Sequence, residues 1–216
     1  AFHKLAKFYY EKYKSDYFIF TDKYKCNIIK GFIDIQKAGY LEILASAATH
    51  AFLPLMEVTP ESINAQITMG VKFYESTFGT KPKGMWLPEC GYTPVMDKYL
   101  KNNGIEYILL ESHGLLYADP RPVFGTYAPI VTPNGIVAFG RDFESSNQVW
   151  SAVSGYPGDF DYRDFYRDIG YDLDYDYIKD FISPDGSRIQ TGIKYYRITS
   201  KSDYKEPYNI EWAQNK

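Results

Sequence analysis

The chain has 216 residues, enough for one sizeable hydrophobic core, and a formal net charge of −3. Such near balance argues against a broad polyanion-binding surface, so nucleic acid is not an expected partner. No apolar run approaches the roughly 20 residues of a membrane span, so a membrane is not an expected partner either.

In chain order, the opening AFHKLAKFYYEKYK is amphipathic and charged rather than a secretory signal. Phe2, Leu5, Ala6, Tyr9 and Tyr13 form a helix-like stripe over residues 2–14. The absence of an initiator methionine at Ala1 is what a fragment or processed product would show. A second helix is expected over 25–38, closed by Gly39. YLEILAS (40–46) alternates like a strand. Thr59-Pro60 offers an N-cap and an N1 proline for a helix with Ile63, Ile67, Val71, Tyr74 and Phe78 on one face, ended by Gly79. KGMWL (83–87) is the next expected strand. Thr93-Pro94 opens another helix, with Met96, Tyr99 and Leu100 inward and NNG (102–104) at its end. EYILLES (106–112) is again a strand. From about residue 117 the pattern fades into Pro-, Gly- and Asn-rich turns, then alternates aromatics with Asp and Arg. Residues 117–182 are read as a long groove-lining loop region within a single domain over 1–216.

This βαβα order implies an α/β fold with parallel strands and helical crossovers. Reactive side chains follow three strands in succession: Thr49 and His50, then Glu89 and Cys90, then Glu111, Ser112 and His113. In a parallel barrel that is the face where active sites collect, and an open doubly wound sheet shows the same pattern at its switch point. Neither GxGxxG nor GxxxxGK[ST] occurs, so nucleotide binding has no support. Cys26 and Cys90 form no CxxC, and His3, His50 and His113 are dispersed, so neither a disulfide scaffold nor a zinc site is expected. A reducing, cytoplasmic setting is the default reading.

Glu89 admits two local readings. It is either a weak dipole partner for the helix opening at Thr93-Pro94, or a strand-end carboxylate beside Trp86, Cys90 and Tyr92. In the second reading those neighbours desolvate it, or nearby donors keep it ionised as a nucleophile. His50 and His113, taken alone, fit ordinary core or loop positions as well as substrate contacts. Cys90 fits a small buried packing residue better than a thiol nucleophile. Ser112 does not match GxSxG. Arg141, Asp142 and Asp159 either pair in solvated loops or hydrogen-bond sugar hydroxyls. Tyr156, Phe160 and Tyr162 would then stack on pyranose faces. The chain is 18% aromatic, with 22 tyrosines, so many phenol rings must reach the surface, where they suit such stacking.

ATHAFLPL (48–55), GMWLPECGY (84–92) and the block GRDFESSNQVWSAVSGYPGDFDYRDFYRDIGYDL (140–173) are similar to motifs of glycoside hydrolase family 57. Within that family the block at 155–173 resembles the 1,4-α-glucan branching enzymes rather than the glucanotransferases. The likeness extends from GYLEILASAATH to DGSRIQTGIKYYRIT (185–199). It implies part of an incomplete TIM-like (β/α)7 barrel with long βα loop excursions. The implied partner is an α-1,4-glucan, as both donor and acceptor, with no metal or organic cofactor. Glu89 is the implied nucleophile of a retaining mechanism, forming a covalent glycosyl-enzyme that a 6-hydroxyl resolves into an α-1,6 branch. His50 is the implied substrate-binding histidine, and Trp86 and Cys90 shape the donor-sugar site. His113, Arg141, Asp142, Tyr156 and Asp159 complete the expected substrate contacts.

An α-amylase or 4-α-glucanotransferase activity, or a non-catalytic α-glucan-binding fragment, stands as the alternative. A carbohydrate deacetylase would need a clustered Asp/His metal site, which this spacing does not supply. A retaining glycosidase also needs a second carboxyl group roughly 5–5.5 Å from the nucleophile. The resemblance places that aspartate downstream of this sequence, and the family's first histidine motif before Ala1. Glu111, Asp142 and Asp159 do not match the acid motif. The expectation is an internal piece of a catalytic barrel, weak or inactive alone.

Overall fold

The computed structural model describes residues 2–216. Its elements run α1 (Phe2–Phe18), α2 (Ile28–Lys37), β1 (Ala45–Ser46), α3 (Pro60–Phe78), β2 (Gly84–Trp86), α4 (Asp97–Asn102) and β3 (Tyr107–Leu110). They continue through α5 (Ser112–Leu116), β4 (Ile130–Val131), β5 (Val137–Gly140), α6 (Phe143–Trp150), α7 (Ile169–Asp172), α8 (Tyr175–Ile182) and α9 (Ile210–Gln214). The backbone divides into two compact units, one of Tyr24–Phe143, the other of the chain up to Lys23 together with Glu144–Lys216.

The Tyr24–Phe143 unit is built on a five-stranded sheet of order β1-β2-β3-β5-β4. The first four are mutually parallel, with Ala45 opposite Met85, Met85 opposite Ile108, and Ile108 opposite Ala138. β4 pairs antiparallel with β5 through a short turn. The expected parallel α/β order is therefore present, with a fourth parallel strand, β5, that the sequence pattern does not indicate. The strand expected over 40–46 is confined to Ala45–Ser46, the residues that pair with Met85 and Trp86 of β2. Met85, Ile108 and Ala138 are fully buried, and Ile63 and Ile67 of α3 close over the same core.

α3 shows how local sequence sets an element. Pro60 sits in its first turn, and Gly79 ends it in the left-handed region at φ 72°, donating its N–H to the Glu75 carbonyl. Thr59 occupies the N-cap position, but its side chain makes no capping bond. Gly70 lets α3 lie directly on β1, since a Cβ there would stand 2.0 Å from the Ser46 carbonyl oxygen. Similarly, Gly84 leaves room for the Tyr107 ring, whose hydroxyl donates to Glu42 at 2.8 Å. Burial, and then that bond to a carboxylate, push the Tyr107 phenol up to about 12. Asp97, at the start of α4, is wholly buried and accepts from Tyr92 and from the backbone and side chain of Asn134 in the β4–β5 turn.

In the other unit the organising group is Asp168, with no exposed surface. Its carboxylate accepts from the backbone N–H groups of Gly170, Thr191 and Gly192 and from the Thr191 hydroxyl, at 2.7 to 3.0 Å. Tyr9 of α1, also buried, donates its hydroxyl to the Lys194 carbonyl in the same segment. Burial pushes the Asp168 carboxyl up, but these donors outweigh it and hold it below the ordinary carboxylate range.

Two outcomes follow. Gly70→Ala should destabilise the Tyr24–Phe143 unit by about 1–3 kcal/mol in urea unfolding, because backbone rather than a flexible side chain meets the new methyl group. A folded-state pKa below the unfolded one contributes stability above the unfolded value of about 3.9, lost as pH falls through the lower folded value. Stability of the Asp168 unit should therefore drop below about pH 4, and Asp168→Asn should flatten that drop while lowering stability at neutral pH. Thermal melts across that range measure both effects.

Candidate active site

β1 ends at Ser46, and the next residues are pinned to α3. The Gln66 carbonyl accepts from Ala48 N–H at 3.1 Å, while its side chain accepts from Thr49 N–H and donates to the Thr49 hydroxyl. This closes a tight turn in which His50 N–H donates to the Ala47 carbonyl and His50 takes φ 56°. Leu53, fully buried, then anchors the chain below.

β2 reaches its end in a parallel way. Leu87 and Pro88 are buried, and a single 3-10 turn over Pro88–Cys90 reverses the chain, with Cys90 N–H donating to the Leu87 carbonyl at 2.9 Å. Glu89 and Cys90 both sit in the left-handed region, at φ 53° and 54°. Each such non-glycine residue costs roughly 1–2 kcal/mol and persists only where its surroundings over-determine it. One such constraint is Gly91, whose missing side chain admits the Phe52 ring; a Cβ there would lie 2.5 Å from the ring. The loops after β1 and β2 are laced together at that contact.

The two turns bring His50 and Glu89 together, with imidazole Nε2 3.5 Å from carboxylate Oε1. Both side chains remain open to solvent, 59% and 76% exposed. The expected desolvation of Glu89 by Trp86, Cys90 and Tyr92 is therefore not what the fold does. The left-handed turn swings Glu89 outward while Leu87, Pro88 and Cys90 go inward. Tyr92 instead donates to buried Asp97, and burial followed by that bond raises its phenol pKa. Thr93 makes no capping bond, so the next helix starts from Pro94 and Asp97.

Beside this pair, Glu111 at the end of β3 forms an ion pair with Arg141 at the end of β5. The Arg141 guanidinium carbon lies 5.9 Å from the centre of the Trp86 ring. Burial pushes the Cys90 thiol up, and hydrogen bonding to Arg141 offsets part of that rise. Cys90 is accordingly buried, whereas Cys26 is exposed. His113 rides on α5, exposed, and Asp142 is exposed just past β5. Tyr156 and Asp159 belong to the other unit. There Tyr156 meets the Tyr162 ring edge-on and lines a cavity of about 430 Å³ with Tyr162, Arg163, Tyr208 and Gln214. Asp159 accepts from Asp161 N–H and faces the Lys216 ammonium at 3.4 Å.

The sequence pattern thus locates His50 and Glu89 but not their contact, and it misses the Glu111–Arg141 pair altogether. The overlooked signal is GIVAFG (135–140), a short apolar run between turn glycines that ends on Arg141. Among the described residues, no group of three His, Cys, Asp or Glu side chains is placed to hold a metal ion, and no helix is long and apolar enough to cross a membrane.

The profile of the family described as Glycosyl hydrolase family 57 matches residues 5–214. The chain belongs to that family. It is 35% identical over 201 residues to a 1,4-alpha-glucan branching enzyme of Thermococcus kodakarensis, covering 81% of this chain and 27% of that protein. Among solved structures, an alpha-amylase from Thermotoga maritima superimposes with a TM-score of 0.91 at 53% identity, covering 99% of this chain and 42% of its own. A branching enzyme of this family from Pyrococcus horikoshii gives 0.76 at 34%, covering 99% and 38%. The family 57 chain therefore spans well under half the length of these relatives. Its parallel sheet with helical crossovers is the α/β architecture of part of a TIM-like barrel.

Thiol labelling checks the geometry around Glu89. With its thiol exposed, Cys26 should react with a maleimide at the rate of a free thiol. Cys90 should react at least roughly tenfold more slowly until denaturant is added.

Proposed function

We propose that this chain carries the nucleophile side of an active site that cleaves α-1,4-glucan with retention and transfers the glucan to a 6-hydroxyl, as a 1,4-α-glucan branching enzyme does. The observation that carries the reading is the meeting of His50 and Glu89 at neighbouring parallel strand ends, on residues of the two family motifs. A Glu89 carboxylate oxygen bonds to the anomeric carbon as the glycosidic C–O bond breaks, and the departing oxygen takes a proton from a general acid. The acceptor 6-hydroxyl then displaces Glu89, returning a proton to that same group. Glu111 is a poor choice for this acid, because its carboxylate is tied to Arg141. The second carboxyl group is assigned to a part of the protein outside this sequence, so the chain alone should turn over little glucan.

His50 orients Glu89 and contacts the donor sugar in this reading. Trp86, Asp142 and His113 contribute further contacts around the strand ends, and Tyr156 and Asp159 bind glucan in the other unit. Two cysteines left as free thiols accord with a cytoplasmic setting. Hydrolysis is the second reading, favoured by the 53% identity to a protein described as an alpha-amylase.

In the intact gene product, Glu89→Gln should lower turnover of α-1,4-glucan by at least about a thousandfold, since a neutral amide cannot attack the anomeric carbon. Retained turnover would remove Glu89 as nucleophile. Linkage analysis of the products separates the two activities: new α-1,6 linkages mark branching, and short linear oligosaccharides without them mark hydrolysis.

A further inference from the structure

The Arg141 side chain lies across the ends of three adjacent strands. Its own N–H donates to the Leu110 carbonyl at 2.9 Å, continuing the β3–β5 register in which Leu110 stands opposite Gly140. From there the guanidinium pairs with Glu111 at the end of β3 and lies beside the Trp86 ring of β2. The arginine and glutamate side chains are only 25% and 37% exposed, so water screens the pair less than an open surface bridge. A guanidinium combines a planar fork of donors with a face that stacks on aromatic rings, and here Glu111 and Trp86 each engage it.

What these contacts constrain is the turn that carries Glu89. Glu89 and Cys90 hold a left-handed backbone that neither side chain favours. Gly91 against Phe52 restrains the far side of that turn. On the near side, the Arg141 guanidinium stands beside the Trp86 ring, three residues before Glu89.

We propose that Arg141, anchored by Glu111, is a positioning residue that locks the Trp86–Cys90 segment and so fixes the direction in which Glu89 is presented, rather than a group that hydrogen-bonds the sugar. This rests on the reading of Glu89 as nucleophile, since a direction matters only for a group that must meet an anomeric carbon.

The test compares Arg141→Ala, Arg141→Lys and Glu89→Gln in the intact gene product. Positioning predicts that Arg141→Ala lowers kcat roughly a hundredfold, as a displacement of about 1 Å does, with KM changed less than about threefold. It also predicts that maleimide labelling of Cys90 speeds up roughly tenfold in Arg141→Ala and not in Glu89→Gln. Arg141→Lys keeps the charge but loses the fork and the stacking face, so it should recover less than about a tenth of the lost kcat. A rise in KM with kcat unchanged would make Arg141 a sugar ligand and overturn the proposal, as would wild-type kinetics and labelling. If Arg141→Ala does not fold, Glu111→Gln, which keeps the shape and removes the anchoring charge, is judged by the same readouts. Glu89→Gln with full turnover would overturn the nucleophile reading instead, whatever Arg141 does.

Discussion

In a parallel sheet every strand runs the same way, so the chain must leave β1, β2, β3 and β5 from one edge and return from the other through helices. Side chains just past those ends share one face of the molecule whatever their separation in sequence. Here that face receives His50, Glu89, Glu111 and Arg141. The register is held by residues that do no chemistry: Met85, Ile108 and Ala138 in the core, and Gly70, which lets α3 press directly on the backbone of β1. Because the spacing between strands is fixed, the turn at each strand end decides which groups touch.

Those turns are strained at the positions that matter. Three non-glycine residues around the site, His50, Glu89 and Cys90, have positive φ. Two successive left-handed residues after β2 reverse the chain within a few atoms, and that reversal leaves Glu89 open to solvent while Pro88 before it and Cys90 after it are buried. The strained turns are held by contacts from outside them: Gln66 on the first, and Phe52 on the second. The second unit reaches rigidity by another route, with the buried Asp168 carboxylate gathering backbone donors from two separate segments. In the first unit Asp97 does the same on a smaller scale, joining Tyr92, α4 and the β4–β5 turn.

Elements with their own punctuation were legible. α3 begins at Pro60 and ends at Gly79 as its residues dictate, since a proline ring and a left-handed glycine act locally. The WLPEC motif pointed to Glu89, and the alternation of helix and strand pointed to a parallel sheet. β5 was not legible, because its run is four residues long and lies among turn residues, and its strand identity comes only from pairing with β3. Of the environments weighed for Glu89, desolvation is the one the fold does not supply. Adjacency to Trp86 and Tyr92 in sequence suggested burial, but a left-handed turn separates chain neighbours in space.

The sequence by itself determined the family, the order of elements and the residues that stand at strand ends, because each of these is written in local pattern or in motif. Only the tertiary structure decided that His50 meets Glu89, that Glu111 is bound to Arg141, and that Arg141 reaches back to Trp86. Those contacts join different strands, and their distances depend on sheet register and on a few left-handed dihedrals. Neither quantity has a signature in the spacing of residues along the chain.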